Sequence, residues 1–480
     1  MKRVILMVSL SLFPRLLVAL EMDISPLLGE TWYGVYMSGQ KSGYAVNTVT
    51  QHDDGRVSVS EDAQFHVTME GIKQDMRISS ERVYAADGAL SSVKTRVQMH
   101  GSESQFDAVV QGDTLLMRSV VGGEAVELEL PRPEESLRDA FKQLELIQNG
   151  EEIGNELHYS VFEPMYRREI KGVSKVIAVE ERVFHGVPTK VYKIKNTLVD
   201  MGIDSISYVA EDGTTLEDEV AGLITTRLEP EEMAKDVDYS NDVIVSNAAL
   251  IDTPIENPRE REYLQLRLTG PLSEAHLFND ERQYLAPKDG AFEFSAHLIS
   301  LEDFEPAELP IEDAAVQEWL QPSLFIQSED PKLVAKTQEI VGDETNSFEA
   351  AKKLCTWVYE NVRTTFSAQL SNALEVLEHM EGDCTEHSVL FIGLARAAGL
   401  PAREVAGLIY VHNARPGFYF HQWASVWVGK WIDVDPTFNQ PLADVTHIKL
   451  AEGDLFQQAR LIPLIGQIKI QVLDGAAPDE

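Results

Sequence analysis

Short alternating runs of apolar and polar residues dominate the chain from 31 to 229, and a longer, helical period takes over after residue 328. The runs 32–36, 44–50, 57–59, 63–68, 76–83, 91–99, 104–110, 114–119, 126–130, 174–182, 189–195 and 204–209 alternate or are rich in β-branched and aromatic residues, which predicts strands. Acid–glycine clusters divide them: Asp53-Asp54-Gly55, Ala86-Asp87-Gly88, Gly112-Asp113 and Glu211-Asp212-Gly213. They lack the ligand spacing of a calcium loop, and glycine after aspartate suits a tight hairpin, so they read as turns. One helical pattern, 134–149, interrupts the strands. The expectation is an antiparallel β domain over 21–241, curled into a sandwich or an open barrel, with Trp32, Tyr33, Tyr36 and Tyr44 in the core of its sheet.

The acidic stretch 229–241 reads as a linker or exposed helix. After it, 263–268, 283–285 and 291–297 predict strands of a small β-rich middle module over 242–323, followed by the acidic, proline-bearing stretch 302–310, which reads as spacing. Ser328-Glu329-Asp330-Pro331 starts a helix, since proline suits the first turn. Helices follow over 332–341, 345–362 and 371–379, and a fourth runs from Cys384 through Val389, Leu390, Phe391, Ile392, Leu394 and Ala397 until Gly399 and Pro401 stop it. Strands are then predicted at 402–411, 420–428 and 431–435, and 447–450, 455–459 and 467–473 close a domain over 324–480. The fold class is therefore α+β, with N-terminal antiparallel β modules and a mixed C-terminal domain.

Candidate chemistry concentrates in that last domain. Cys384 sits in the first turn of a helix, where unpaired amides and the positive end of the dipole favour a thiolate. His421 lies on one predicted strand and Asp435 at the end of the next, held extended by Pro436. Together they supply a nucleophile, a base and a group to orient the base. Cys384 would attack an amide carbonyl, His421 would take the thiol proton and return it to the leaving amine, and Asp435 would hold the imidazole tautomer. The Cys384 backbone amide is the candidate oxyanion donor. Asp433, two residues from Asp435 on the same strand face, is the rival for the orienting role. His387 lies one helical turn from Cys384, whereas His379, His412 and His447 read as surface or supporting residues. Trp357 reads as core, with an indole oxyanion donor as the sharper alternative.

These residues resemble the transglutaminase-like superfamily, whose pattern is Gly-x-Cys leading a helix, a His-x-Trp strand and a Trp-x-x-x-Asp-Pro-Thr strand. Here the matching residues are Gly382 and Cys384, His421 and Trp423, and Trp431, Asp435, Pro436 and Thr437. Arg-Ala-Ala-Gly-Leu-Pro-Ala-Arg-Glu-Val, from Arg396 to Val405, resembles the family's link from catalytic helix to sheet. Where the family often has a glutamate four residues after the histidine, this chain has Ser425. The resemblance covers the last third of the chain. It implies a papain-like fold and acyl transfer through a Cys384 thioester, either as a peptidase or amidase acting on a protein or peptide, or as a cross-linking enzyme. A retired, non-catalytic binding or scaffold protein is the reading of another class, and the intact triad counts against it.

Composition adds limits. A formal net charge of −37 argues against nucleic acid or an anionic membrane surface as partner. Lys2 and Arg3 followed by the apolar run from Val4 to Phe13 read as a secretory signal over 1–20, implying a periplasmic or otherwise exported protein. The run is too short to span a bilayer, and no other stretch could. The chain has only two cysteines. Cys355 sits in an apolar helical pattern that predicts burial, and a redox pairing with Cys384 is the alternative. No His-Glu-x-x-His and no zinc-spaced cysteine pair is present, so neither metal nor cofactor is expected.

Overall fold

The computed structural model describes residues 22–69, 72–99, 102–148, 153–237, 247–301, 304–365 and 371–473. The signal expected at 1–20 lies outside the described residues.

The alternating N-terminal stretch folds into one fourteen-stranded antiparallel sheet. The predicted strands 57–59 and 63–68 are one strand, Val57–Met69; tight turns join neighbours in the sheet, and Gly55 and Gly88 take φ of 84° and 83° at two of them, a conformation that costs other residues strain. Two meanders, Gly29–Met37 through Glu124–Pro131 and Glu156–Glu163 through Ile224–Leu228, meet where Gly29–Met37 pairs with Ile224–Leu228. The first and last strands therefore lie in the middle of the sheet, and Glu124–Pro131 and Glu156–Glu163 form its edges. Tyr84, Val93, Phe106, Leu115 and Met117 pack on the core face with Leu137 and Leu144 from the helical insertion. That insertion is two short helices, Leu137–Ala140 and Lys142–Gln148, the first opened by a Ser136–Asp139 capping box.

Three strands of this sheet were not evident in the sequence: Glu156–Glu163, Thr215–Val220 and Ile224–Leu228. The second carries three acids, and its charges are met across the ladder: Glu217 opposes Arg227, whose Nε donates at 2.7 Å. The acidic stretch after Leu228 is also anchored. Glu229 is buried and accepts from Lys41 Nζ at 2.6 Å, and among the described residues the short helix Glu231–Ala234 follows.

The strands of the middle module join the C-terminal part of the chain. Tyr263–Thr269, Gln283–Lys288 and Ala291–His297 share a sheet with Lys469–Leu473 near the far end of the chain. Leu264, Leu266, Leu285 and Phe294 from this sheet pack in one core with Leu408, Tyr410, Ile448 and Leu450. The small β-rich module thus shares its core with the C-terminal domain.

In the C-terminal domain, helices Pro331–Val341, Ser347–Asn361 and Ala373–His379 surround Cys384–Ala397. Asp330, Asn346 and Asn372 cap the first three through side-chain acceptors. Leu390, Phe391 and Leu394 of the central helix pack against Val426, Ile432 and Val434 of a five-stranded sheet that contains Ala402–Val411, Gly417–Trp427, Trp431–Val434 and His447–Glu452. Among the described residues no helix is long and apolar enough to cross a membrane.

Candidate active site

Cys384 is the first residue of its helix. Asp383 caps it, accepting the Thr385 N–H at 2.8 Å, and Glu386 Oε2 accepts the Asp383 N–H at 2.9 Å, completing a capping box. Gly382 must lack a side chain, because a Cβ there would stand 2.2 Å from the Glu386 Cβ. The loop ahead of the cysteine is tied down by Arg363 N–H to the Met380 carbonyl and Thr365 N–H to the Gly382 carbonyl, each 2.9 Å. One turn on, the Ser388 hydroxyl lies 2.7 Å from the Cys384 carbonyl and 3.1 Å from the Gln422 carbonyl. The Gln422 amide in turn hydrogen-bonds the Cys384 sulfur. Cys384, the candidate nucleophile, is thus pinned to the residue that follows His421.

The expectation of a thiolate at this helix start is corrected. Burial first, and then the Asp383 charge, push the Cys384 thiol well above its ordinary pKa, and the Gln422 amide offsets only part of this. The acids that cap the helix work against the dipole. Glu386 is itself pushed up to about 9 by burial and by Asp383, so it is a neutral acid at neutral pH.

His421 and Asp435 meet as expected from their positions. His421 is buried on Gly417–Trp427, and its Nε2–H donates to Asp435 Oδ2 at 2.8 Å, leaving Nδ1 as the other ring nitrogen. Its ring stacks on Trp423, with centroids 6.0 Å apart. Asp435 follows Trp431–Val434, and its backbone closes a two-way bridge with Gln440 at 2.8 and 2.9 Å. Thr437 and Phe438 N–H groups donate to Oδ1 at 2.8 and 3.3 Å. Burial would raise this carboxyl, but His421 and then His447 outweigh it and hold Asp435 far below the usual carboxylate range.

Residues 334–436 match the transglutaminase-like superfamily. This stretch is a transglutaminase-like domain. A Haemophilus influenzae protein named only as uncharacterized is 30% identical over 114 residues, 23% of this chain and 31% of that protein, so the match spans about a third of the relative's length. Among solved structures, a candidate cysteine protease of Cytophaga hutchinsonii has a TM-score of 0.32 at 18% identity, covering 45% of this chain and 89% of its own. A β-barrel-like protein of Brucella abortus, from a domain family of unknown function, has a TM-score of 0.34 at 12% identity, covering 42% of this chain and 94% of its own.

Around the transglutaminase-like domain the other candidates separate. Asp433, the rival of Asp435, is bound elsewhere: its carboxylate lies 3.0 Å from Lys449 Nζ and 3.3 Å from Arg282 Nε. Burial would raise it, yet Lys449 and Arg282 hold it at about 2. Ser425, at the position where the family often has glutamate, pairs across the ladder with Asp433 and donates to the Ile432 carbonyl at 3.2 Å. A small residue there leaves that face to the Asp433 cluster. His387 is a structural tie, its Nδ1 2.6 Å from the Asp383 carbonyl and its Nε2 3.3 Å from the Val362 carbonyl. His379 and His412 are exposed. Trp357 packs on the helical core, as expected, beneath Lys336. Cys355 is free and buried, its thiol 3.6 Å from the Asp435 carbonyl.

His447 is the residue that sequence reading undervalued. It is fully buried, and its Nε2–H donates to the same Asp435 Oδ2, at 3.0 Å. Its position twelve residues after Asp435 carried no motif; only its place at the head of a predicted strand marked it. His421, Asp435 and His447 offer ligand atoms within 4.8 Å of one another and could hold a metal ion, but two hydrogen bonds to one oxygen already account for that spacing. The matched stretch ends before His447, Asp444 and Lys449, and begins after Arg259 and Arg282.

Proposed function

We propose that this chain is a cysteine-dependent acyl-transfer enzyme acting on amide bonds of a protein or peptide, with water as the final acceptor. The observation that carries the reading is the 2.8 Å His421–Asp435 hydrogen bond beside the Cys384 helix start, within the stretch that matches the superfamily.

In this reading His421 Nδ1 takes the thiol proton as Cys384 Sγ bonds to the amide carbon. The Cys384 amide, which has no partner within its helix, donates to the oxyanion. Collapse of the tetrahedral adduct breaks the C–N bond, and the imidazolium protonates the departing amine. Water then attacks the thioester, giving its proton to His421, and breaking the C–S bond returns that proton to the thiol. Asp435 keeps the Nε2–H tautomer throughout. A primary amine in place of water would make the same triad a cross-linking enzyme. Met1 to Leu20 support placing the enzyme outside the cytoplasm, which favours the hydrolytic form, and fractionation of cells expressing the chain with and without those residues tests it.

A non-catalytic binding protein is the second reading, favoured by the burial and the Asp383 charge that push the Cys384 thiol upward. Iodoacetamide labelling of Cys384 against pH, in the parent and in His421→Ala, decides between the two. Labelling that weakens with His421→Ala supports catalysis, and identical thiol-like profiles refute it. Incubating the enzyme with casein peptides and a fluorescent primary amine then separates the acceptors: shortened, unlabelled peptides support hydrolysis, and fluorescent peptides overturn it in favour of cross-linking.

A further inference from the structure

We propose that His447 is a positively charged positioning residue for the Cys384–His421 pair, sharing Asp435 with His421 and offsetting the Asp435 charge from behind. The proposal rests on the acyl-transfer reading above and deepens it.

Asp435 has no freedom left. Oδ1 holds two backbone amides and Oδ2 holds two imidazole N–H groups. His447 is as confined as its partner. Its Nδ1 lies 3.3 Å from both the Asp444 Oδ1 and the Asp444 carbonyl. Asp444 is a firm carboxylate, receiving the Thr446 N–H at 2.7 Å, Thr446 Oγ1 at 2.6 Å, Arg259 Nη1 at 2.7 Å and Gln440 Nε2 at 3.0 Å. A neutral His447 would turn a lone pair toward one of two carboxylates. A charged ring donates to both, and burial is outweighed by Asp435 and Asp444.

The other groups around the ring agree with a trapped cation. His421 and Trp423 face it from Gly417–Trp427, with centroids 6.1 and 5.1 Å away. Arg282 reaches the His447 carbonyl at 2.7 Å and the Asp444 carbonyl at 3.4 Å, not the ring, and its charge is taken up by Asp433. Lys449, two residues on, is taken up by Asp433, Asp280 and Glu452. From Ser347–Asn361 the Cys355 thiol approaches the Asp435 backbone, bringing no charge.

The result is a line of alternating charge from Asp435 through His447 and Asp444 to Arg259. With its charge offset, Asp435 orients His421 without locking it as an imidazolium, so the proton stays on the thiol until substrate arrives. This agrees with the acidic surroundings of Cys384. None of His447, Asp444 or Arg259 lies in the stretch that matches the superfamily, so the device belongs to the flanking sequence of this chain.

Two measurements test it on the full chain. The first is 15N-histidine NMR of Cys384→Ala, which can do no chemistry, with His447 assigned by His447→Gln. Both His447 nitrogens are expected to carry protons at neutral pH, where an ordinary imidazole has lost one. A bare Nδ1 near neutrality overturns the proposal. The second is Cys384 labelling with Cys355→Ser as background. Glutamine at 447 keeps an N–H toward Asp435 without the charge, so labelling near neutral pH should rise roughly ten-fold. A rate at or below the parent at every pH overturns the proposal. If His421→Ala labels like the parent, the acyl-transfer reading falls instead, and the NMR result still decides the charge on His447.

Discussion

Asp433 and Asp435 stand two residues apart, both wholly buried, yet they answer to different partners: Asp433 to Lys449 and Arg282, Asp435 to His421 and His447. The first pair of contacts is structural, joining Trp431–Val434 to His447–Glu452 and to residue 282 ahead of the matched domain. In the proposed mechanism the second is chemical.

Asp433→Asn should therefore cost stability. It leaves buried Arg282 without a carboxylate and takes from Lys449 one of its three, an effect of ~3–5 kcal/mol, readable as a lower urea midpoint. In the parent, Asp433 is held at about 2, so its contribution is present above its unfolded pKa and is lost as acid brings the pH down through about 2. The magnitude is on the order of 2 kcal/mol. Lys449 is raised, so its share is present below its unfolded pKa and lost as alkali carries the pH through the higher folded value. Asp435→Asn should instead slow Cys384 labelling and peptide turnover together at any pH where the fold is intact. Equal stability losses in both variants, with unchanged labelling in Asp435→Asn, would reverse the two roles.

Glu386 is pushed up to about 9, so the folded chain must hold a proton there that the unfolded chain releases at neutral pH. Folding is penalised increasingly as pH rises from the ordinary carboxylate range toward 9. Glutamine keeps both an acceptor for the Asp383 amide and a donor for its carboxylate. Glu386→Gln should thus match the parent near about pH 4 and exceed it in urea midpoint at about pH 8. A variant that is less stable at the higher pH would show that the ionised carboxylate holds the helix start.

The two cysteines should react very differently. Burial, and then Asp435, push the Cys355 thiol up, and it is packed in the helical core. Native chain should take one iodoacetamide, at Cys384, and unfolded chain two, counted by intact mass. Disulfide-linked chain recovered from the oxidising compartment would instead revive the Cys355–Cys384 pairing.

Asn372 ties the β domain to the active site. Its Nδ2 donates to the Val121 carbonyl at 2.7 Å, and its Oδ1 caps Ala373–His379 by accepting the Glu375 N–H at 3.0 Å. That helix leads directly into the Cys384 loop. Asn372→Ala should cost about 1 kcal/mol for the cap and about 1–3 kcal/mol for the stranded carbonyl. Hydrogen exchange should quicken at 373–383 more than in the Gly417–Trp427 strand. Uniform loosening of the whole chain would argue that Asn372 supports only the global fold.

Much of this molecule can be read along the chain, because caps, turn glycines and hydrophobic periods are local and choose an element's type within a few residues. The hairpin turns at Gly55 and Gly88, the helix starting at Cys384 and the order of Cys384, His421 and Asp435 all belong to that class. Partners do not. Which carboxylate faces His421, what becomes of His447 and why the Cys384 thiol keeps its proton were decided by burial, where a polar group takes whichever neighbour the packing brings. Those neighbours come from far away: Arg259 and Arg282 reach the site from more than a hundred residues upstream, and Tyr263–Thr269 finds its second ladder in Lys469–Leu473. Periodicity carries no record of such meetings, since strands with the same alternation can pair with any edge, and only the assembled core selects one.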